Sequence, residues 1–197
     1  MLKIASKKIM KTKRLFAAIK VQPDPNLISV YNSLKSALRH EKINWVSEKN
    51  IHITLKFFGE TPEEKIDEIC EVFDDIATRH KPFKLTLENI GIFGSSYEPR
   101  VIWFGMAKSE AVEKLAEDVI LKLKTIGFEP DGQHFRPHLT VGRIRQVISK
   151  KQFQQTIDTF KNTFIQDIQV TGFELYESIL KPQGPVYQVV ESFNLGD

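Results

Sequence analysis

A single cysteine in 197 residues, Cys70, leaves no partner for an internal disulfide and suits a reducing, cytoplasmic setting. Cys70 stands among Ile66, Ile69 and Phe73 at helical spacing, which makes it core filling. Long apolar runs are also missing. Charges interrupt every hydrophobic stretch before it could span a bilayer, and none follows the basic first residues to make a signal peptide. Acidic residues are absent from the first fourteen positions, where Lys3, Lys7, Lys8, Lys11, Lys13 and Arg14 stand. With those six set aside, 28 basic residues become 22 against 25 acidic, so the overall +3 turns into −3. A body of that charge is not a general nucleic-acid-coating surface, and any polyanion it binds should be held locally. Residues 1–13 are therefore read as a disordered basic extension. Residues 14–197 are read as one domain of two intimately packed lobes, expected to be a monomer.

What is present is a plan repeated twice. Arg14–Val21 reads as a strand, and Leu27, Val30, Tyr31, Leu34 and Leu38 mark one face of a helix. Ile51–Phe58 reads as a second strand, ended by Gly59. Thr61-Pro-Glu-Glu64 then carries the signature of a capped helix start. That helix runs to about Arg79, and Phe83–Leu87 alternates as a strand. In the second half Arg100–Gly105 is a strand, Glu110–Lys124 a helix and Phe135–Val141 a strand. Ser149 caps a helix, the strand Ile168–Leu175 follows, and a terminal strand lies near Val186–Phe193. Leu15 and Val101 are 86 positions apart, as are His52 and His138, while Phe83 and Ile168 are 85 apart. The expected fold is α+β and bilobal: a duplicated βαβαβ unit whose mainly antiparallel sheets face each other across a central cleft.

Each half carries one His-x-Thr strand. Residues two apart on a strand share a face, so His52 projects with Thr54, and His138 with Thr140. Ile53, Leu55, Leu139 and Val141 then point into the lobes. Two imidazoles and two hydroxyls in one slot suit metal-free displacement at phosphorus. One imidazole accepts a proton, the other donates one, and the hydroxyls hold the non-bridging oxygens. Five histidines and eleven threonines give roughly 0.3 such motifs per chain by chance, so one alone means little. Two at equivalent places in a repeat mean much more. No carboxylate or third histidine is spaced to complete a metal site, although His134 could approach.

The strings Arg14-Leu-Phe-Ala-Ala-Ile, Asn50-Ile-His-Ile-Thr-Leu-Lys-Phe-Phe-Gly59, Arg100-Val-Ile-Trp and Phe135-Arg-Pro-His-Leu-Thr-Val-Gly-Arg143 resemble the 2H phosphoesterases. Within them the likeness is to the RNA 2′,3′-cyclic phosphodiesterases once named 2′-5′ RNA ligases, and it covers the chain from Arg14 onward. The resemblance implies the bilobal fold and hydrolysis of a terminal 2′,3′-cyclic phosphate to a 2′-phosphate, with no metal or other cofactor. It also implies His52 as proton donor, His138 as proton acceptor, and RNA 3′ ends as partners. Reversible 2′-5′ ligation, hydrolysis of a small cyclic phosphate, or a non-catalytic RNA-end binder are the alternatives.

Other residues are weaker candidates. Arg136 shares strand parity with His138 and could reach phosphate or stack on a base, though Pro137 could disturb that geometry. Arg143 could bind phosphate or face solvent. Lys56 follows the parity of His52 and Thr54, or is a surface lysine at a strand end. His134 reads as polar strand surface, and His40 and His80 as ordinary residues near helix ends. Phe58, Trp45 and Trp103 could stack bases, but core packing suits each better.

Overall fold

The computed structural model describes residues 11–95, 97–130 and 135–196. His134 and the first ten residues of the basic extension lie outside it. Among the described residues nine strands and four α-helices follow one another as β1 (Thr12–Lys20), α1 (Pro25–Ala37), β2 (Lys42–Trp45), β3 (His52–Pro62), α2 (Ile66–Ala77), β4 (Phe83–Gly94), β5 (Pro99–Met106), α3 (Glu110–Thr125), β6 (Leu139–Gln146), α4 (Lys150–Phe160), β7 (Phe164–Val170), β8 (Gly172–Lys181) and β9 (Gly184–Asn194). The order across the sheet is β7-β4-β5-β6-β3-β1-β8-β9, with β2 added on β6, and the paired strands run antiparallel.

The fold is α+β with two lobes, β3-β1-β8-β9 and β6-β5-β4-β7, related by the expected repeat. Helices α2 and α3 pack against the first lobe, through β9 and β3; α1 and α4 pack against the second, through β7 and β4. One strand of each half crosses to the other lobe: β4, directly after α2, and β8, which follows β7. β4 pairs with β5 and β7, and β8 pairs with β1 and β9. Each lobe therefore needs a strand from both halves, and neither half can fold as a closed unit alone. This exchange also breaks the strand expected at Ile168–Leu175 in two. β7 ends at Val170, in the second lobe, and β8 begins at Gly172, in the first.

Local chemistry explains the helices. Asp24 caps α1 by accepting from the Leu27 N–H at 2.7 Å, and Pro25 stands in the first turn, where no N–H is needed. Leu27, Tyr31 and Leu34 then fall on one buried stripe. Ser109 accepts from the Val112 N–H and opens α3. The Glu41 carboxylate serves the start of α4, accepting from the backbone N–H groups of Ile148 and Ser149. Thr61 is no helix cap. It is a fully buried residue of β3 whose hydroxyl donates to the Gly59 carbonyl at 3.2 Å, and α2 starts only at Ile66 after a tight turn. Strand pairing won there: Thr61 lies opposite Lys13 in β1.

β1 itself begins two residues earlier than expected. Thr12 donates to Glu60 and Lys13 pairs with Glu177 at 3.1 Å, so both belong to the sheet. Cys70 packs partly buried against the core, where burial pushes its thiol up to about 11 and keeps it protonated. Among the described residues no helix is long and apolar enough to cross a membrane.

Candidate active site at the seam of the lobes

Among the described residues β3 and β6 meet at a single bridge pair, Ile53 opposite Leu139, and there the two lobes join. Both side chains are fully buried, so their neighbours along the strand emerge on the other face. Antiparallel register then places His52 across from Thr140, and Thr54 across from His138. The two histidines stand on the diagonal, where neighbours lie about 7–8 Å apart and their Cβ atoms somewhat closer. That span leaves room for one phosphoryl group between the rings. Sequence parity therefore brings together the four residues it named.

Both imidazoles are oriented in the same way. His52 Nδ1 lies 2.7 Å from the Asn50 carbonyl, and His138 Nδ1 lies 2.7 Å from the Arg136 carbonyl. A carbonyl can only accept, so each Nδ1 carries its proton and each Nε2 is left for chemistry. Residues 135–138 are not strand, which differs from the expected Phe135–Val141, because Pro137 cannot donate to a ladder. Arg136 therefore lacks the expected strand parity with His138. Its side chain is exposed, and its carbonyl orients the imidazole.

Burial is the main reason both histidines titrate below the ordinary imidazole value, and the positive charge of Arg143 adds to it for each. His52 is lowered further by His138. Arg143 is thus a member of this site, and a bulge explains how. Trp103 pairs with Thr140 and Ile102 with Gly142, so Val141 is the extra residue in β6 and the parity beyond it flips. Arg143, opposite Val101, comes onto the face of Thr140.

The same device acts in β3. Ala18 pairs with Thr54 and Ala17 with Lys56, so Leu55 is extra. Lys56 consequently leaves the face of His52 and Thr54. It is 5% exposed, on the inner side, where its ammonium donates to the Glu129 carbonyl at 3.0 Å. Phe57 takes the site face instead, while Phe58 packs inward against Phe73 and Phe128.

Aromatic rings hold each histidine. Phe16 and Tyr187 lie 5.0 and 5.3 Å from the His52 ring, and Phe93 meets the His138 ring edge-on at 4.7 Å. These residues come from strands distant in sequence; Phe16 stands in one of the strings quoted above, while no local motif marks Tyr187 or Phe93. Trp103 packs beside Phe93 and over Gly91, where a Cβ would stand 2.3 Å from the indole. Trp45 packs edge-on against Tyr31, and His80 pairs with Asp118 of α3 at 2.8 Å, away from the site. Among the described residues no three His, Cys, Asp or Glu side chains gather as a metal-binding group.

Comparison with known proteins identifies the family. The model of the LigT like Phosphoesterase family matches twice in tandem, over residues 19–103 and 105–187. An RNA 2′,3′-cyclic phosphodiesterase of Methanocaldococcus jannaschii is 33% identical over 91% of this chain and 99% of its own length. The protein of that name from Archaeoglobus fulgidus is 34% identical over the same shares. Among solved structures, TT0787 of Thermus thermophilus superposes with a TM-score of 0.78 at 27% identity, over 93% of this chain and 99% of that one. E. coli LigT in apo form gives 0.74 at 23% identity, a likeness of fold, over 95% and 99%. With both halves matched by one family model and relatives a third identical along nearly their whole length, the chain belongs to the LigT-like phosphoesterase family.

Proposed function

We propose that the protein hydrolyses the 2′,3′-cyclic phosphate at an RNA 3′ end to a 2′-phosphate, using His52 and His138 as acid and base. The observation that carries this reading is the diagonal pair of imidazoles, each with Nδ1 committed to a carbonyl and Nε2 left free. The names of the relatives point to the same substrate. In the reaction the oxygen of a water attacks phosphorus while His138 Nε2 takes its proton. The bond from phosphorus to O3′ breaks on the opposite side, and His52 Nε2–H protonates the departing oxygen. Thr54 and Thr140 donate to the non-bridging oxygens, and Arg143 supplies counter-charge to the phosphate. Proton exchange with solvent resets both rings. Arg136, exposed beside His138, extends the phosphate-binding side.

The deciding experiment is incubation with an RNA ending in 2′,3′-cyclic phosphate in the presence of EDTA, followed by phosphorus NMR. The expected product is the 2′-phosphate, formed at an undiminished rate in chelator. A 3′-phosphate would reverse the assumed substrate orientation. Activity lost in EDTA and restored by zinc or manganese would replace the two-histidine scheme with a metal-assisted one. Binding without turnover would make the protein an RNA-end binder.

The pH profile carries a sign. One ring must be protonated and the other neutral, and burial and Arg143 hold both below the ordinary imidazole value. At pH 7 both rings of the free enzyme are therefore mostly neutral, and kcat/KM should rise as pH falls. It should pass through a bell centred on the acid side of about 6.5. Arg143→Gln removes a nearby positive charge, so both limbs should move to higher pH. A variant whose profile stays where the wild-type profile lies would remove Arg143 from the site.

A further inference from the structure

Asn50 makes two hydrogen bonds that reach in different directions. Its carbonyl accepts from His52 Nδ1–H at 2.7 Å, and its side-chain Nδ2 donates to the Pro185 carbonyl at 2.9 Å. Pro185 is 135 residues away, near the start of β9. β9 is the last strand of the sheet, where the missing N–H of a proline costs no ladder bond. Two residues further along β9, Tyr187 meets the His52 ring edge-on at 5.3 Å and is itself held by Phe16 at 4.8 Å. One strand thus touches the imidazole directly and, through Asn50, grips the carbonyl that orients it.

That grip matters because of where Asn50 stands. It ends the short turn Glu48–Asn50 between β2 and β3, and its own N–H reaches only back to the Ser47 carbonyl at 2.8 Å. A connection of this kind is free to shift unless something outside it ties it down. The matching residue before the other histidine is Arg136, 86 positions on. Its carbonyl accepts from His138 Nδ1–H in the same way, but its side chain is exposed and, among the described residues, has no comparable tie. Two histidines alike in chemistry are therefore unlike in support.

We propose that Asn50 is a positioning residue: anchored on the Pro185 carbonyl, it holds the oxygen that sets the direction and tautomer of His52, so that the last hairpin of the chain keeps one imidazole in line. This rests on His52 acting at the phosphate, as read above. Asn50 touches no substrate and works through the ring it orients. In-line displacement needs the proton donor and the attacking water on opposite sides of phosphorus, so one fixed ring defines the line. The amide contributes by removing freedom from the turn, and the imidazole inherits that rigidity through its Nδ1–H bond.

The test uses Asn50→Ala, with Asn50→Asp as a variant of the same shape whose carboxylate cannot donate at neutral pH. Proton–nitrogen correlation NMR of the wild-type imidazoles should show both neutral rings with the proton on Nδ1. In Asn50→Ala the His52 proton should exchange faster with water and move in part to Nε2, while His138 in the same spectrum stays as it was. With adenosine 2′,3′-cyclic phosphate, kcat should fall between about 10- and 100-fold, the scale for a misplaced reacting group. KM should stay within about twofold, because no phosphate contact is removed. Asn50→Asp should lose as much as Asn50→Ala. An unchanged His52 signal would overturn the proposal, as would a wild-type kcat in either variant. Equal changes at both histidines would overturn it too, since they mark a general loosening, and so would a rise in KM alone, which marks a substrate contact. If the wild-type enzyme turns over no cyclic phosphate, the functional reading itself fails, and the comparison of His52 with His138 still decides the positioning role.

Discussion

Turnover of a cyclic-phosphate RNA should fall on the order of 10² to 10⁴ in His52→Ala, and by a similar factor in His138→Ala, the range for loss of a positioned acid or base. Each variant loses the Nε2 that handles a proton, while the threonines and Arg143 still hold the phosphate. KM should therefore change much less than kcat. The double variant should be scarcely slower than either single one, because a proton relay with one member missing is already broken. Thr54→Ala and Thr140→Ala should cost less, since each removes one donor of several. Single-turnover rates under saturating substrate would measure this directly. A His52→Ala enzyme turning over near the wild-type rate would end the assignment, whatever the fate of His138→Ala.

The second large effect concerns stability. Phe73, on α2, is fully buried and meets Phe173 and Phe193 edge-on, each at 5.2 Å, with Phe58 at 6.1 Å. Phe173 belongs to β8, Phe193 to β9 and Phe58 to β3, so one ring locks a helix onto three strands of the first lobe. Phe73→Ala should cost about 3–5 kcal/mol, the lost transfer energy plus the cavity left by a rigid surround. That is a large share of a total near 5–15 kcal/mol. Urea titration of wild type and variant would read it as a drop in midpoint at nearly constant slope. A loss under 1 kcal/mol would mean that the lobe repacks around the gap. Because β8 comes from the second half of the chain, the same substitution should unfold both halves in one transition. A second, later transition would contradict the interlocked topology.

Much of the site could be read from the residues. The 86-residue interval between His52 and His138 signals equivalent strands, and period-two alternation with Ile53 and Leu139 sends each histidine and its threonine to one face. Those signals are local, and local sterics enforce them in any strand. The apolar stripes of α1, α2, α3 and α4 are legible for the same reason. The carbonyls that orient the imidazoles left no mark, because any residue at Asn50 or Arg136 offers the same backbone oxygen.

What parity could not supply is its own interruption. A bulge depends on how two strands settle against each other, so Leu55 and Val141 look like ordinary strand residues until Ala17 and Ile102 are seen opposite the residues that follow them. Those two extra residues bury Lys56 and bring Phe57 and Arg143 to the site. The exchange of β4 and β8 between lobes is likewise invisible in a linear repeat, since each strand's alternation fits either sheet. The sequence alone determined which side chains are offered to one slot, because two histidines and two threonines at matched places on strands allow few arrangements. Tertiary structure alone decided which neighbours attend them, because strand pairing, and not composition, selects the face on which every later residue emerges.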